Sequence, residues 1–154
     1  SVNIYKAEFK EIEKLKSTES KVKFHIISDY SELVNYFRIM RKSVKRYHYK
    51  RLMSDDVYYC LSSGNDIICS GWSSVRNLYI SEIEKTLNID GNYVLYDFLT
   101  PPDFRNNGYY KIILHNILGY LQSAAYIYAL RSNKVSNRAI QNIGFEKTNS
   151  YKFE

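Results

Sequence analysis

The sequence predicts a mixed α/β (α+β) fold in a single domain over residues 1–154, and three observations carry that expectation. Strand-like segments interchange with segments whose apolar residues recur at helical spacing, in the order β-α-β-β-(α)-β-α-β-α-β. A chain of 154 residues fits one domain of ordinary size, and 45% hydrophobic against 25% charged residues suffices to bury a core. No internal repeat, low-complexity tract or flexible linker divides it.

Each element has its own signal. Residues 1–20 set Phe9, Ile12 and Leu15 among many charges, which predicts a short amphipathic helical extension ahead of a core over 21–154. Lys21 to Ser28 alternates polar and apolar residues as a first strand does. Asp29 followed by Glu32 is a capping-box pattern, and Leu33, Tyr36, Phe37, Met40, Val44 and Tyr47 continue a helix to about Leu52. Val57–Leu61 and Ile67–Val75 flank Gly64-Asn65, residues that supply the positive φ of a tight hairpin turn. Leu78–Leu87 is expected as a helix, and Tyr93–Thr100 as a central strand ended by Pro101-Pro102, which cannot donate ladder hydrogen bonds. Gly108–Ser123 returns to helical spacing and Ala125–Leu130 is a strand. A helix runs from Ser132 or Asn133 to Ile143, closed by Gly144, and Phe145–Phe153 forms one or two short strands. The buried phase of these elements names Phe37, Met40, Leu95, Ile113, Ile117, Ile127 and Ile143 as core.

Composition narrows the function classes. No run approaches the ~18 consecutive apolar residues of a membrane span, and no secretory leader opens the sequence, so a soluble, cytoplasmic protein is expected. Cys60 and Cys69 make neither a disulfide framework nor a zinc site; a two-residue turn would set them opposite each other across the hairpin as small half-buried hydrophobes. The net charge of +6 gathers in Arg38, Arg41, Lys42, Lys45, Arg46, Lys50 and Arg51. That run either attracts an anion or is the solvated face of a helix, and no base-reading motif accompanies it. The 16 Tyr and 7 Phe come with many Asn, Lys and Ile, a profile that an AT-rich genome produces unaided, so they are not read as a stacking surface.

The segment with the most chemistry is the strand, proline stop, Phe104-Arg105-Asn106-Asn107-Gly108 and helix. A glycine loop opening into a helix presents free N–H groups and the positive end of the helix dipole, which favours a phosphate or pyrophosphate. Gly108 permits close approach and Arg105 adds a fixed charge. It is neither a Walker loop nor a dinucleotide fingerprint, since the Gly-Lys-Ser/Thr and the further glycines are absent.

The run Arg105-Asn106-Asn107-Gly108-Tyr109-Tyr110 resembles the R/Q-x-x-G-x-G/A acetyl-CoA motif of the GNAT acetyltransferase superfamily. Downstream, Asn133, Ser136, Ala139, Ile140 and Gly144-Phe145 resemble that family's N-x-x-A/S helix ending in Gly-Phe. The resemblance implies a mixed, mostly antiparallel central sheet flanked by helices and splayed at its fourth and fifth strands. It implies acetyl-CoA as the acyl donor, with the amides of Asn106 to Tyr110 around the pyrophosphate. Main-chain groups near Phe98, Leu99 and Thr100 would pair with the pantetheine arm, and Asn133 and Ser136 would contact the pantetheine or thiol end. The sequence departs from the family at Tyr110, where Gly or Ala is usual, and at Ile140, where many members carry a thiolate-protonating tyrosine.

An amine must be neutral to attack, which calls for a base. Glu82 and Asp97 are preferred as catalytic residues, with Glu84, His48 and His115 as further candidates; each also has an ordinary structural explanation. Trp72 either walls the acceptor pocket or belongs to the core. The expected activity is transfer of an acetyl group to a primary amine of a small molecule, an amino sugar or other anionic metabolite; the alternative is a non-catalytic acyl-CoA-binding module. Neither a metal, a membrane nor nucleic acid is expected as a partner, and a homodimer is left open.

Overall fold

The computed structural model describes residues 2–8, 21–148 and 152–153. Its strands and helices are β1 (Val2–Ala7), β2 (Val22–Ile27), α1 (Tyr30–Ile39), α2 (Arg46–Met53), β3 (Val57–Ser63), β4 (Asp66–Ser74), β5 (Leu78–Ile80), β6 (Lys85–Asn88), β7 (Tyr93–Leu99), α3 (Tyr109–Leu121), β8 (Ala125–Leu130), α4 (Lys134–Ile143), β9 (Glu146–Lys147) and β10 (Lys152–Phe153). The large sheet has the order β2-β3-β4-β7-β8-β1-β9, and β10-β6-β5 form a small second sheet. Among the described residues every pairing is antiparallel except β7 with β8, whose parallel arrangement requires the crossover that α3 supplies.

Helix ends follow from local chemistry. The Asp29 carboxylate accepts the Glu32 N–H at 3.2 Å and starts α1, and Asn133 accepts the Ser136 N–H at 3.1 Å and starts α4. Gly144 closes α4 at φ +110, a left-handed position that costs a glycine nothing. Leu95 and Ile127 on one face of the large sheet meet Ile113, Leu114 and Ile117 of α3 and Ile140 of α4. Across the sheet, Tyr58, Cys60 and Trp72 receive Leu33, Phe37 and Leu52 of α1 and α2. Farther along that side, Val94 and Tyr126 pack with Ile80 and Leu87 of the small sheet. Of the expected core, Met40 and Ile143 are half-buried and the rest are buried.

Four expectations need correction. Val2–Ala7 is a strand between β8 and β9, where a helical extension was expected; Phe9, Ile12 and Leu15 of that extension lie outside the described residues. Leu78–Leu87 is a hairpin and not a helix: Ser81–Ile83 makes one 3-10 turn, and Glu84 at φ +51 reverses the chain into β6. The long basic helix is two helices, because the chain leaves helical geometry after Ile39, with Arg41 at φ +55. Finally, Cys60 and Cys69 do not face each other. The Gly64-Asn65 turn has two residues, yet a bulge shifts the register so that Leu61 pairs with Cys69. The thiols therefore enter different core clusters, where burial pushes each up to about 11.

Candidate functional site

β7 holds the site open. Its parallel pairing with β8 runs from Tyr93–Ala125 through Val94–Tyr126 to Leu95–Ile127 and stops there, although β7 continues to Leu99 and β8 to Leu130. The cause of the divergence lies within β7. On its other edge Trp72 pairs with Tyr96 and Ser70 with Leu99, so β7 carries one residue more than β4 over that interval. The extra length is a bulge at Asp97, φ +55, and a bulge increases the local twist and turns the strand away from its neighbour. The expected splay of the fourth and fifth large-sheet strands in the chain order of the core is this separation of β7 from β8. Gly71 makes the bulge compact: the ring of Phe98 lies directly on its backbone, where any Cβ would collide.

Beyond the split a cleft of about 750 Å³ opens between β7, the loop into α3 and the start of α4. Every residue expected at the acyl donor lines it: Phe98, Leu99 and Thr100, Arg105, Asn106, Asn107, Gly108, Tyr109 and Tyr110, then Asn133 and Ser136. Phe104 and Ala139 of the two sequence motifs complete the wall with Lys111, Val135, Arg138 and Asn142, four residues that sequence reasoning had not singled out. Arg105, Lys111 and Arg138 make the lining cationic, and none of the described lining side chains carries a negative charge.

The loop has a backbone geometry that suits an anion. Asn106 at φ +67 and Gly108 at φ +76 turn the backbone in the left-handed sense on either side of Asn107, as in concave N–H nests. The first bond of α3 runs from the Ile112 N–H to the Gly108 carbonyl, 3.2 Å, so Tyr109 to Lys111 have no intrahelical acceptor for their N–H groups. Arg105 is pinned across the loop, donating from Nε to the Thr100 carbonyl at 2.9 Å, while Asn107 donates to the carbonyls of Phe104 and Arg105 at 3.2 Å each. Tyr110 turns its ring edge-on to Phe98, 5.5 Å between centroids at 86°, and burial pushes its hydroxyl well above the usual range. The first turn of α4 is fixed by Asn137, which donates to the carbonyls of Leu130 and Asn133 at 2.8 and 2.7 Å and accepts from Asn3 and Tyr5.

Glu82 and Asp97 belong to different elements, the 3-10 turn and the bulge. Burial first, and then both carboxylates, push the Tyr128 hydroxyl up. Tyr128 is the first β8 residue past the last β7–β8 pair, and only its place beside the split, invisible in the sequence, marks it. Asp97 is ion-paired with Arg51 at 2.7 Å. The guanidinium carbon of Arg51 stands 4.5 Å from the Tyr47 ring centre, 4.9 Å from Trp72 and 5.0 Å from Tyr96. Trp72 is a core residue, 2% exposed, with Arg51 over its face. His48 is buried and accepts the Lys45 N–H on Nδ1 at 2.9 Å, which caps α2; burial holds it below its ordinary value. Glu84 caps the 3-10 turn, and His115 is half-buried on α3. No helix among the described residues is long and apolar enough to cross a membrane.

No protein-family model and no curated protein matches the chain. Solved structures do. A GNAT-family acetyltransferase from Colwellia psychrerythraea superposes with a TM-score of 0.61 at 13% identity, covering 96% of this chain and 52% of that one. A conserved protein of unknown function from Staphylococcus epidermidis gives 0.58 at 9% identity, with 99% of this chain and 57% of its own covered. This chain thus spans about half the length of those two proteins. Aminoglycoside N-acetyltransferase AAC(6')-Iy, solved in complex with CoA, gives 0.59 at 16% identity and is covered over 97% of its length by 86% of this chain. With its divided sheet, its crossover helix and its loop at the helix start, the chain has the fold of the GNAT acetyltransferase superfamily.

Proposed function

We propose that the chain is an N-acyltransferase that moves an acetyl group from acetyl-CoA to a primary amine of a small molecule, an amino sugar or another anionic metabolite. The observation that carries this reading is the cationic cleft whose floor is the unpaired edge of β7 beyond Leu95. The residues present fit CoA. Uncommitted N–H groups at the start of α3, with Lys111 and Arg138 beside them, suit a pyrophosphate, and the β7 edge from Phe98 to Thr100 suits an amide-bearing arm added as a strand. Bound there, acetyl-CoA would supply an activated acyl carbon and a thiolate leaving group.

The chain's own groups then have distinct tasks. Main-chain N–H groups of the bulge over residues 97–99 polarise the acyl carbonyl. Glu82 or Asp97, directly or through water, takes the proton that the amine loses on attack. Asn133 orders the first turn of α4, where Ser136 borders the cleft. Tyr110, by packing on Phe98, leaves the loop N–H groups uncovered.

Calorimetric titration with acetyl-CoA tests the donor site, with Arg105→Ala and Gly108→Trp as controls. Saturable binding to the wild type that both variants lose supports the reading, and no binding at millimolar acetyl-CoA refutes it. One observation favours a second reading, a non-catalytic acyl-CoA-binding module: Ile140 is fully buried, so α4 offers no proton donor at that position. That reading predicts binding without thiol release for every amine tried.

A further inference from the structure

We propose that the acceptor is not an amino sugar but a zwitterionic α-amino acid, whose carboxylate is read by Arg51 while its amine docks at Asp97; this rests on the transferase reading above and replaces its acceptor. Arg51 is set as a receptor and not as a loose surface charge. Three rings from three elements, Tyr47 of α2, Trp72 of β4 and Tyr96 of β7, hold its guanidinium plane. Its one ion pair among the described residues runs from Nη1 to Oδ2 of Asp97. An arginine whose faces are stacked keeps the in-plane donors of its fork, and a fork held in place is suited to a planar carboxylate. The side chain is 24% exposed, so part of it is open to solvent.

Asp97 supplies the opposite charge at the right place. It sits on the bulge where β7 leaves β8, its side chain is 52% exposed, and Oδ1 has no partner among the described residues. A cation and an anion 2.7 Å apart, both with unused bonding capacity and both beside the split, match a ligand whose opposite charges are one carbon apart. A ligand with only an amine would satisfy Asp97 and leave the arginine fork facing water.

The surrounding charge has the same polarity. Arg38, Arg41, Lys42, Lys45, Arg46 and Lys50 are exposed on the α1–α2 side, and no acid occurs between residues 33 and 54. Opposite in sign to these cations are Asp97 on the bulge and Glu82 on the 3-10 turn. A zwitterion entering between them is oriented, carboxylate toward α2 and amine toward the split, whereas an amine carrying further positive charges is repelled.

The test measures thiol release from acetyl-CoA with each α-amino acid beside its decarboxylated amine and its carboxamide. Wild type, Arg51→Lys and Arg51→Met are compared, with melting temperature and acetyl-CoA affinity recorded for all. The amino acid is expected to exceed its decarboxylated partner in kcat/KM by about 10- to 100-fold. Arg51→Met brings that ratio close to one and Arg51→Lys keeps part of it, both with acetyl-CoA affinity intact. Equal or better turnover of the decarboxylated amine by wild type, or a ratio that survives Arg51→Met, overturns the proposal and leaves the transferase reading standing. Acetyl-CoA binding without thiol release from any amine overturns both.

Discussion

Replacing Gly71 by alanine is the most direct perturbation of the device that opens the site. An added Cβ would lie 2.2 Å from Cε1, 2.3 Å from Cδ1 and 2.7 Å from Cζ of Phe98, inside any tolerable contact. The Phe98 ring is stiff, with only two side-chain torsions, and is braced at 86° by Tyr110. Relief requires either that the ring leave its rotamer or that β7 move off β4. Overpacking of this kind costs about 1–3 kcal/mol, which lowers the melting temperature of a chain this size by about 3–10 °C. Because Phe98 and Tyr110 both line the cleft, acetyl-CoA affinity should fall as well. A double-mutant cycle isolates the cause. Phe98→Ala alone loses buried surface, but in Gly71→Ala/Phe98→Ala the collision is gone, so the combined loss should be smaller than the sum by at least about 1 kcal/mol. Thermal melts of the four proteins, with calorimetry on each, provide the numbers. A Gly71→Ala variant that melts with the wild type, or strictly additive losses, would refute the close-approach argument.

Three further outcomes can be checked on the same preparations. Asn137→Ala should lower unfolding free energy by about 2–3 kcal/mol in urea, since it strips donors from the Leu130 and Asn133 carbonyls and the acceptor from Tyr5, and the slope with denaturant should not change. Asp56→Ala should lose about 1–3 kcal/mol: the buried carboxylate accepts from Tyr96 and pairs with Arg76 at 2.8 Å, and the arginine, being half in water, recovers part of its solvation. His48 should make stability fall with acidity. Burial holds its folded value below the unfolded one, so the unfolded chain takes the extra proton; the contribution is full above about pH 6.5 and is lost as pH drops toward the folded value. Melting curves from about pH 7.5 to about pH 5 should fall more steeply for wild type than for His48→Gln, and parallel curves would contradict that assignment.

The sequence was most legible where function needs a local chemical pattern. The Arg105–Gly108 loop and the Asn133-to-Gly144 helix are short-range devices, one made by left-handed residues and a helix start, the other by two caps, so single residues announce them. What failed is what distant contacts decide. Leu78–Leu87 has a spacing that a helix could use, but Ile80 and Leu87 are needed against Val94 and Tyr126, and a hairpin is what brings them there. Val2–Ala7 becomes a strand because β8 offers it an edge, and β8 is more than a hundred residues away along the chain. Arg51 read as one charge in a basic run, since nothing local reveals that rings from β4 and β7 enclose it. The cysteine pairing was missed through one unpaired residue near the turn, which exchanges the faces of everything beyond it.

The place of β1 also constrains how the protein is made. Val2 pairs with Leu130 and Ala7 with Ala125, so β1 docks on a strand synthesised more than a hundred residues after it. Until α3 and β8 have left the ribosome, β1 presents Ile4 and Tyr5 on a strand with no edge to join, and closing so long a loop is slow. The β2–β3–β4 meander is local and can form early, whereas the half of the sheet that completes the cleft is assembled only after synthesis has passed β8. Chains arrested short of β8 should therefore expose an orphan strand, which makes them ready clients for chaperones and prone to pairing with one another.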